Sequence, residues 1–327
     1  MTFTPFAPPK LTTGDHIRIL SPSSSVARIG GFEQNLIAKE RLEMLGFKVS
    51  FSDNYLENDI FGSASIKSRV DDIHNAFADN SVQAILATIG GFNSNELLPY
   101  LDYELIRNNP KIFCGYSDTT AVLTAIFAKT GLMTYYGASY SSFKMNELQD
   151  YQTTSWLTAM TKNAYELRPS EFWSSDEWFL PNTKRSFFET KWQVHTHGKA
   201  TGRAIGGNLA TFPLLNGTPY AINADKLGDY VLFLEGSESH NYMNIARQLT
   251  AVLQAYPTPK AVLFGRFPKE CEMTDERWQY ILSKHEILKT VPVLYGLDFA
   301  HTQPLFSFTL GARVAVDTDK LTIWVDE

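Results

Sequence analysis

A serine set between a strand and a helix is presented for attack by chain geometry alone, and Lys111-Ile-Phe-Cys-Gly-Tyr-Ser-Asp-Thr-Thr120 has that form. An apolar run leads into Gly115, and a helical segment begins near Asp118, so Ser117 should stand on a tight turn at a sheet edge. The helix start offers unpaired N–H groups that stabilise an alkoxide or a tetrahedral oxyanion, that of Asp118 first among them. Ser-Asp before a helix is equally good N-capping chemistry. Gly90-Gly91, after the apolar run Val82 to Ile89, offers a second backbone donor where a carbonyl can come close. A Gly pair is also ordinary turn material.

The hydroxyl needs a base, usually an imidazole held by a carboxylate. Of seven histidines, His301 lies in a polar turn after the strand-like Val293-Leu-Tyr295, from which it could reach a domain interface. Glu235 closes the apolar run Val231-Leu-Phe-Leu234 and precedes Gly236. A strand end holds a carboxylate rigidly, as an orienting acid requires, though an acid that only accepts loop N–H bonds has the same pattern. His195 and His197 share a strand face and suggest a metallohydrolase, but no nearby carboxylate has a zinc-ligand spacing. With no Gly-x-Gly-x-x-Gly and no Walker-type run, no cofactor and no metal is expected.

Strands and helices alternate around these residues. Strands are expected at His16–Leu20, Phe47–Phe51, Val82–Ile89 and Lys111–Cys114, with helices from Gly31 to Leu45, from Ile66 to Ala78 and from near Asp118. This is the pattern of βαβ units in a parallel sheet, whose ligands bind beyond the carboxyl ends of the strands. From Asn146 to Trp192 the pattern weakens and tryptophans gather. The second half reads as strand from His195 to Ala204, a turn at Gly206-Gly-Asn-Leu209 into a helical stretch, and a strand from Tyr230 to Glu235. A helix at Tyr242–Ala255, a strand at Ala261–Phe264, a helix at Asp275–His285 and strands near Val293 and Val314 follow. The expected architecture is α/β: an N-terminal parallel-sheet, flavodoxin- or Rossmann-like domain over 1–165, a Trp-rich linker over 166–192, and a C-terminal mixed α/β domain over 193–327.

The 29 Lys and Arg against 35 Asp and Glu, without a basic run, leave no footprint for nucleic acid. The first residues lack a signal peptide's basic and apolar regions, and no apolar stretch is long enough to span a membrane, so a cytoplasmic chain without a membrane partner is expected. Two cysteines make no disulfide framework, and Cys114, in an apolar run, reads as a buried, inert thiol.

Taken in order, Leu20-Ser-Pro-Ser23, Gly90-Gly-Phe92, Gly115-Tyr-Ser-Asp118, Gly206-Gly-Asn-Leu209, Phe233-Leu-Glu-Gly236 and Ala300-His301 resemble the motifs of the LD-carboxypeptidase family of serine peptidases, over nearly the whole chain. The resemblance implies a metal-free triad of Ser117, Glu235 and His301, an oxyanion hole from the N–H groups of Gly91 and Asp118, and a homodimer. It also implies substrate contacts from Asn208 and, in the branch that includes microcin C7 self-immunity proteins, from Trp178, whose indole would stack on a nucleobase. Its tryptophans would otherwise cover an interdomain seam. The implied substrate is a peptidyl or aminoacyl nucleotide, or in the murein-recycling branch a tetrapeptide losing a terminal D-amino acid. A non-catalytic ligand-binding protein with two lobes is the alternative from outside enzymology.

Overall fold

Six strands build the first sheet of the computed structural model, which describes residues 4–177, 179, 184–299 and 301–327. Their order is Lys48–Phe51, His16–Leu20, Ala84–Ala87, Ile112–Gly115, Thr134–Tyr136, Phe308–Leu310. The first five run parallel and the last antiparallel. In chain order the parallel strands stand 2-1-3-4-5, the flavodoxin-like arrangement, so the connections diverge beside His16–Leu20 and open a crevice at its carboxyl end. Ala84–Ala87 and Ile112–Gly115 are buried at every residue, as strands covered on both faces must be. The helix Ile66–Ala78 starts on the Ser65 side chain, which accepts the Ser68 N–H, and buries Val70, Ile73, Ala76 and Phe77 along one face.

The second sheet has eight strands in the order Ala164–Leu167, Thr322–Asp326, Arg313–Asp317, Lys199–Asn208, Tyr230–Glu235, Ala261–Gly265, Val293–Leu297, Gln193–Thr196. Four consecutive strands, Lys199–Asn208 to Val293–Leu297, are parallel, and antiparallel strands flank them. The molecule is thus α/β with one parallel-rich and one mixed sheet. The sheets exchange strands: Ala164–Leu167 lies at the edge of the second, while Phe308–Leu310 returns to the first. The helix Thr120–Thr130, buried at all but two positions, carries apolar residues all round because it is enclosed on every side.

The structure departs from expectation in three segments. Gly31 to Leu45 is not one helix but two, Gly31–Gln34 and Leu36–Met44, because the buried Asn35 amide turns inward to donate to Ile29 O and Gly31 O. Gly206 and Gly207 form no turn; they end the strand Lys199–Asn208 at φ +121° and +129°. The weakly patterned stretch after Asn146 contains a full helix, Gln149–Thr161, and the edge strand after it. Among the described residues no helix is long and apolar enough to cross a membrane. Both thiols are buried, and burial pushes Cys114 up to about 12, in keeping with an inert side chain.

Candidate active site

The strand Ile112–Gly115 ends at Gly115, where a side chain would strike Thr119 and Ala87 at 2.9–3.0 Å. Two residues on, Ser117 sits at φ +60° and opens a short 3-10 turn that leads into Thr120–Thr130. A left-handed conformation costs a non-glycine residue about 1 kcal/mol, so the surroundings must hold it in place. Both peptide groups of Ser117 are held by side-chain hydroxyls. Its N–H donates to Tyr136 Oη at 3.2 Å, and its carbonyl accepts from Thr120 Oγ1 at 2.5 Å. Each hydroxyl then engages the second sheet: Tyr136 donates to Glu235 Oε1 at 2.7 Å, and Thr120 Oγ1 accepts the Asn208 N–H at 3.2 Å.

Gly90 faces this turn. A Cβ there would lie 2.7 Å from Ser117 Cβ and 2.8 Å from Ser117 Oγ, so only glycine leaves the hydroxyl room. Gly91, at φ +154°, is equally constrained, because a Cβ would strike Ser23 Oγ at 2.2 Å. The N–H groups of Gly91 and Asp118 have no hydrogen-bond acceptor among the described residues. The Asp118 side chain has a separate role. Its Oδ2 accepts from Ser23 Oγ at 2.5 Å and from the Ser94 N–H at 2.8 Å, and Ser23 Oγ in turn accepts the Phe92 N–H at 3.1 Å. One carboxylate therefore ties the loop at Gly90–Phe92 to the turn that carries Ser117.

Glu235, fully buried at the end of Tyr230–Glu235, and His301, from the loop after Val293–Leu297, meet Ser117 from the second sheet. His301 Nε2 lies 3.0 Å from Ser117 Oγ, and His301 Nδ1 lies 2.8 Å from Glu235 Oε2. A carboxylate accepts only, so the proton sits on Nδ1 and Nε2 is free to take the serine proton. The imidazole side chain is 10% exposed. Burial disfavours its charged form, but the adjacent Glu235 carboxylate, with a smaller contribution from Glu238, raises its pKa above 6.5 on balance. Phe299 anchors the loop by packing on Phe233, Phe306 and Phe308, while Arg266 donates to Thr302 Oγ1 and to the buried Asp298.

The structure brings together Ser117, Asp118, Gly91, Glu235 and His301. Asn208, for which a substrate contact was expected, is there too, and its amide is engaged within the protein. Its Nδ2 donates to Glu235 Oε1 at 2.8 Å and its Oδ1 accepts the N–H groups of Ala210 and Thr211, so the amide is engaged at both ends behind the carboxylate. The preceding glycines explain the close approach: a side chain at Gly206 would strike Phe233 O at 2.2 Å, and one at Gly207 would strike Thr120 and Tyr136 at 2.8–2.9 Å. Trp178 lies outside the described residues. Nearer in the chain, Trp173 stacks on the Arg266 guanidinium at 4.6 Å, and Ser174 pairs with Gln303 through two backbone hydrogen bonds, docking the Trp-rich segment on the His301 loop. His195 and His197 bond separately, to Gln279 and Asp319, and among the described residues no group of three or more His, Cys, Asp or Glu side chains could hold a metal ion. The sequence reading missed the parts played by Tyr136, Thr120 and Ser23, and it expected no strand at Thr134–Tyr136.

Known proteins share this arrangement of chain. Residues 17–137 match the LD-carboxypeptidase N-terminal domain and residues 201–316 the LD-carboxypeptidase C-terminal domain. YocD of Bacillus subtilis (strain 168), named a carboxypeptidase, is 39% identical over 97% of this chain and 98% of its own length. The microcin C7 self-immunity protein MccF of Escherichia coli is 32% identical over 97% and 94% of the two chains. A solved MccF-like protein from Bacillus anthracis superposes with a TM-score of 0.94 at 41% identity, covering 98% of this chain and 99% of its own. A structure of MccF in complex with aspartyl sulfamoyl adenosine gives 0.90 at 30% identity, covering 99% of each chain.

Proposed function

Since this chain belongs to the LD-carboxypeptidase family of serine peptidases and is a serine carboxypeptidase-type hydrolase, we propose that Ser117, His301 and Glu235 are its triad and that it cleaves the acyl link of an aminoacyl or peptidyl nucleotide. The observation that carries the triad is the unbroken relay from Ser117 Oγ through both imidazole nitrogens to Glu235. The substrate class rests on likeness to MccF, which has been solved with aspartyl sulfamoyl adenosine.

Ser117 Oγ attacks the carbonyl carbon while His301 Nε2 takes its proton, and Glu235 stabilises the resulting imidazolium. Negative charge collects on the carbonyl oxygen, for which the unpaired N–H groups of Gly91 and Asp118 are suitable donors. His301 then gives the proton to the leaving nitrogen, the C–N bond breaks, and an acyl ester remains on Ser117. His301 Nε2 then takes a proton from water, whose oxygen attacks the ester, and returns that proton to Ser117 Oγ as the acyl–oxygen bond breaks and the acyl group leaves as a carboxylate.

Mass spectrometry of parallel incubations with aspartyl sulfamoyl adenosine and a murein tetrapeptide tests this. The wild type should release aspartate and sulfamoyl adenosine, and Ser117→Ala should lose roughly three or more orders of magnitude in rate. Turnover of the tetrapeptide alone would move the substrate to cell-wall peptides. Full activity in Ser117→Ala would overturn the triad.

A further inference from the structure

The strand Thr134–Tyr136 brings a phenol into the site that the relay itself does not require. Tyr136 is fully buried, and its hydroxyl accepts the Ser117 N–H while donating to Glu235 Oε1. One oxygen thereby joins the nucleophile's backbone, at a strained φ, to the acid that faces His301. The ring has nowhere else to go. Phe308 lies 5.4 Å and Phe299 6.5 Å from its centroid, and Gly207 approaches so closely that a methyl group there would strike the ring at 2.9 Å.

Building on the triad reading, we propose that Tyr136 is a positioning residue, whose hydroxyl sets the nucleophile's peptide group and the triad carboxylate against each other across the two sheets. Two consequences separate this from simple core packing. Without the hydroxyl the Ser117 N–H loses its acceptor, the turn relaxes, and Oγ leaves the line of attack. At the same time Glu235 Oε1 keeps only the Asn208 donor, so more of the carboxylate's charge is felt by His301. The ionisable groups around His301 are Glu235, Glu238, His240, Tyr116 and Tyr136 itself. Of these, Tyr136→Phe changes only the last directly.

The probe is a fluorophosphonate, whose reaction with Ser117 depends on the triad whatever the natural substrate is. Tyr136→Phe should be phosphonylated roughly ten- to a hundredfold more slowly, with the rising limb of its pH profile moved to higher pH. Because only the shift of the limb passes through Glu235, Y136F/E235Q should be slower than E235Q alone but should titrate along the same limb. A Y136F rate within about twofold of wild type would overturn the proposal, as would a slower rate with an unmoved limb. Glu235→Ala gives a reading that does not depend on Y136F folding: with the phenol unanchored, hydrogen exchange at the Ser117 amide should speed up, and unchanged exchange would refute the link. A wild-type Ser117 inert to phosphonate would instead sink the triad reading, and the role of Tyr136 with it.

Discussion

Tyr135 and Tyr136 are neighbours on one strand, so their side chains leave it in opposite directions, and each hydroxyl meets a buried glutamate. Tyr135 donates to Glu327 Oε2 at 3.0 Å, and Tyr136 donates to Glu235 Oε1 at 2.7 Å. The two carboxylates are 1% and 0% exposed. They differ in what answers their charge. Lys10 Nζ lies 2.5 Å from Glu327 Oε1, an oxygen that also accepts from Thr309 Oγ1 at 2.6 Å. Glu235 has no ammonium or guanidinium partner among the described residues, only Tyr136, Asn208 and His301. A lysine, even one whose pKa burial lowers from 10.5, answers a buried carboxylate with an ammonium that has no acceptor to pass its proton on to, and makes a structural pin. A histidine answers it with a proton that can leave, and a proton that can leave is what acyl transfer needs.

The largest effect that separates the two sites comes from Glu235→Gln. The amide preserves the shape but not the charge, so His301 loses both its fixed tautomer and the partner of its imidazolium, and kcat/KM should fall by about 10³–10⁴. The residual activity should rise with pH along a limb shifted to lower pH, because the Glu235 carboxylate is what holds the His301 pKa above 6.5 against burial. A full pH–rate profile of the variant checks both. A limb that stays where the wild type has it would mean that another group sets the histidine.

Lys10→Met at the other carboxylate should do the reverse. It leaves Glu327 buried beside two hydroxyls with no cation, a defect worth about 3 kcal/mol of stability, read as a lower urea midpoint at neutral pH. Phosphonylation of Ser117 per folded molecule should stay at the wild-type rate. Lost reactivity without lost stability would break the distinction between pin and proton station.

The sequence marks these two sites very differently. The turn at Ser117 is legible because glycine and a polar pair between an apolar strand and a helix are local signals, readable within ten residues. Glu235 is legible for the same reason, as an acid at the end of an apolar run. Tyr135 and Tyr136 are not, since tyrosine is an ordinary strand former and nothing local says whether its hydroxyl has a partner. Those partners are Glu235 and Glu327, 99 and 192 positions away. Lys10, whose partner is 317 positions away, looks like any lysine near a chain end. Gly206 and Gly207 misled for a physical reason. A Gly pair signals a turn because it tolerates positive φ, but here it uses that tolerance, at φ +121° and +129°, without leaving the strand, and its missing side chains let Phe233 and Tyr136 press against it.

The smallest effect concerns stability rather than rate. His301 holds its proton more tightly folded than unfolded, because Glu235 outweighs the cost of burial, so the native state binds more protons than the unfolded chain above the unfolded pKa of about 6.5. The sign follows: the stabilisation is fully present below about pH 6.5, declines as pH rises through the folded pKa, and is gone above it, amounting to about 1.4 kcal/mol for each unit by which the two values differ. His301→Gln should remove this descending slope, whereas Lys10→Met should leave it in place or steepen it, because His301 and Glu235 are untouched and an uncompensated buried Glu327 can only add proton uptake to the native state. Urea unfolding of the wild type and both variants at a series of pH values resolves the slopes. If the wild type and His301→Gln run parallel through the window, burial balances the carboxylate. His301 would then rest at its ordinary pKa, and the two buried glutamates would differ less than their partners suggest.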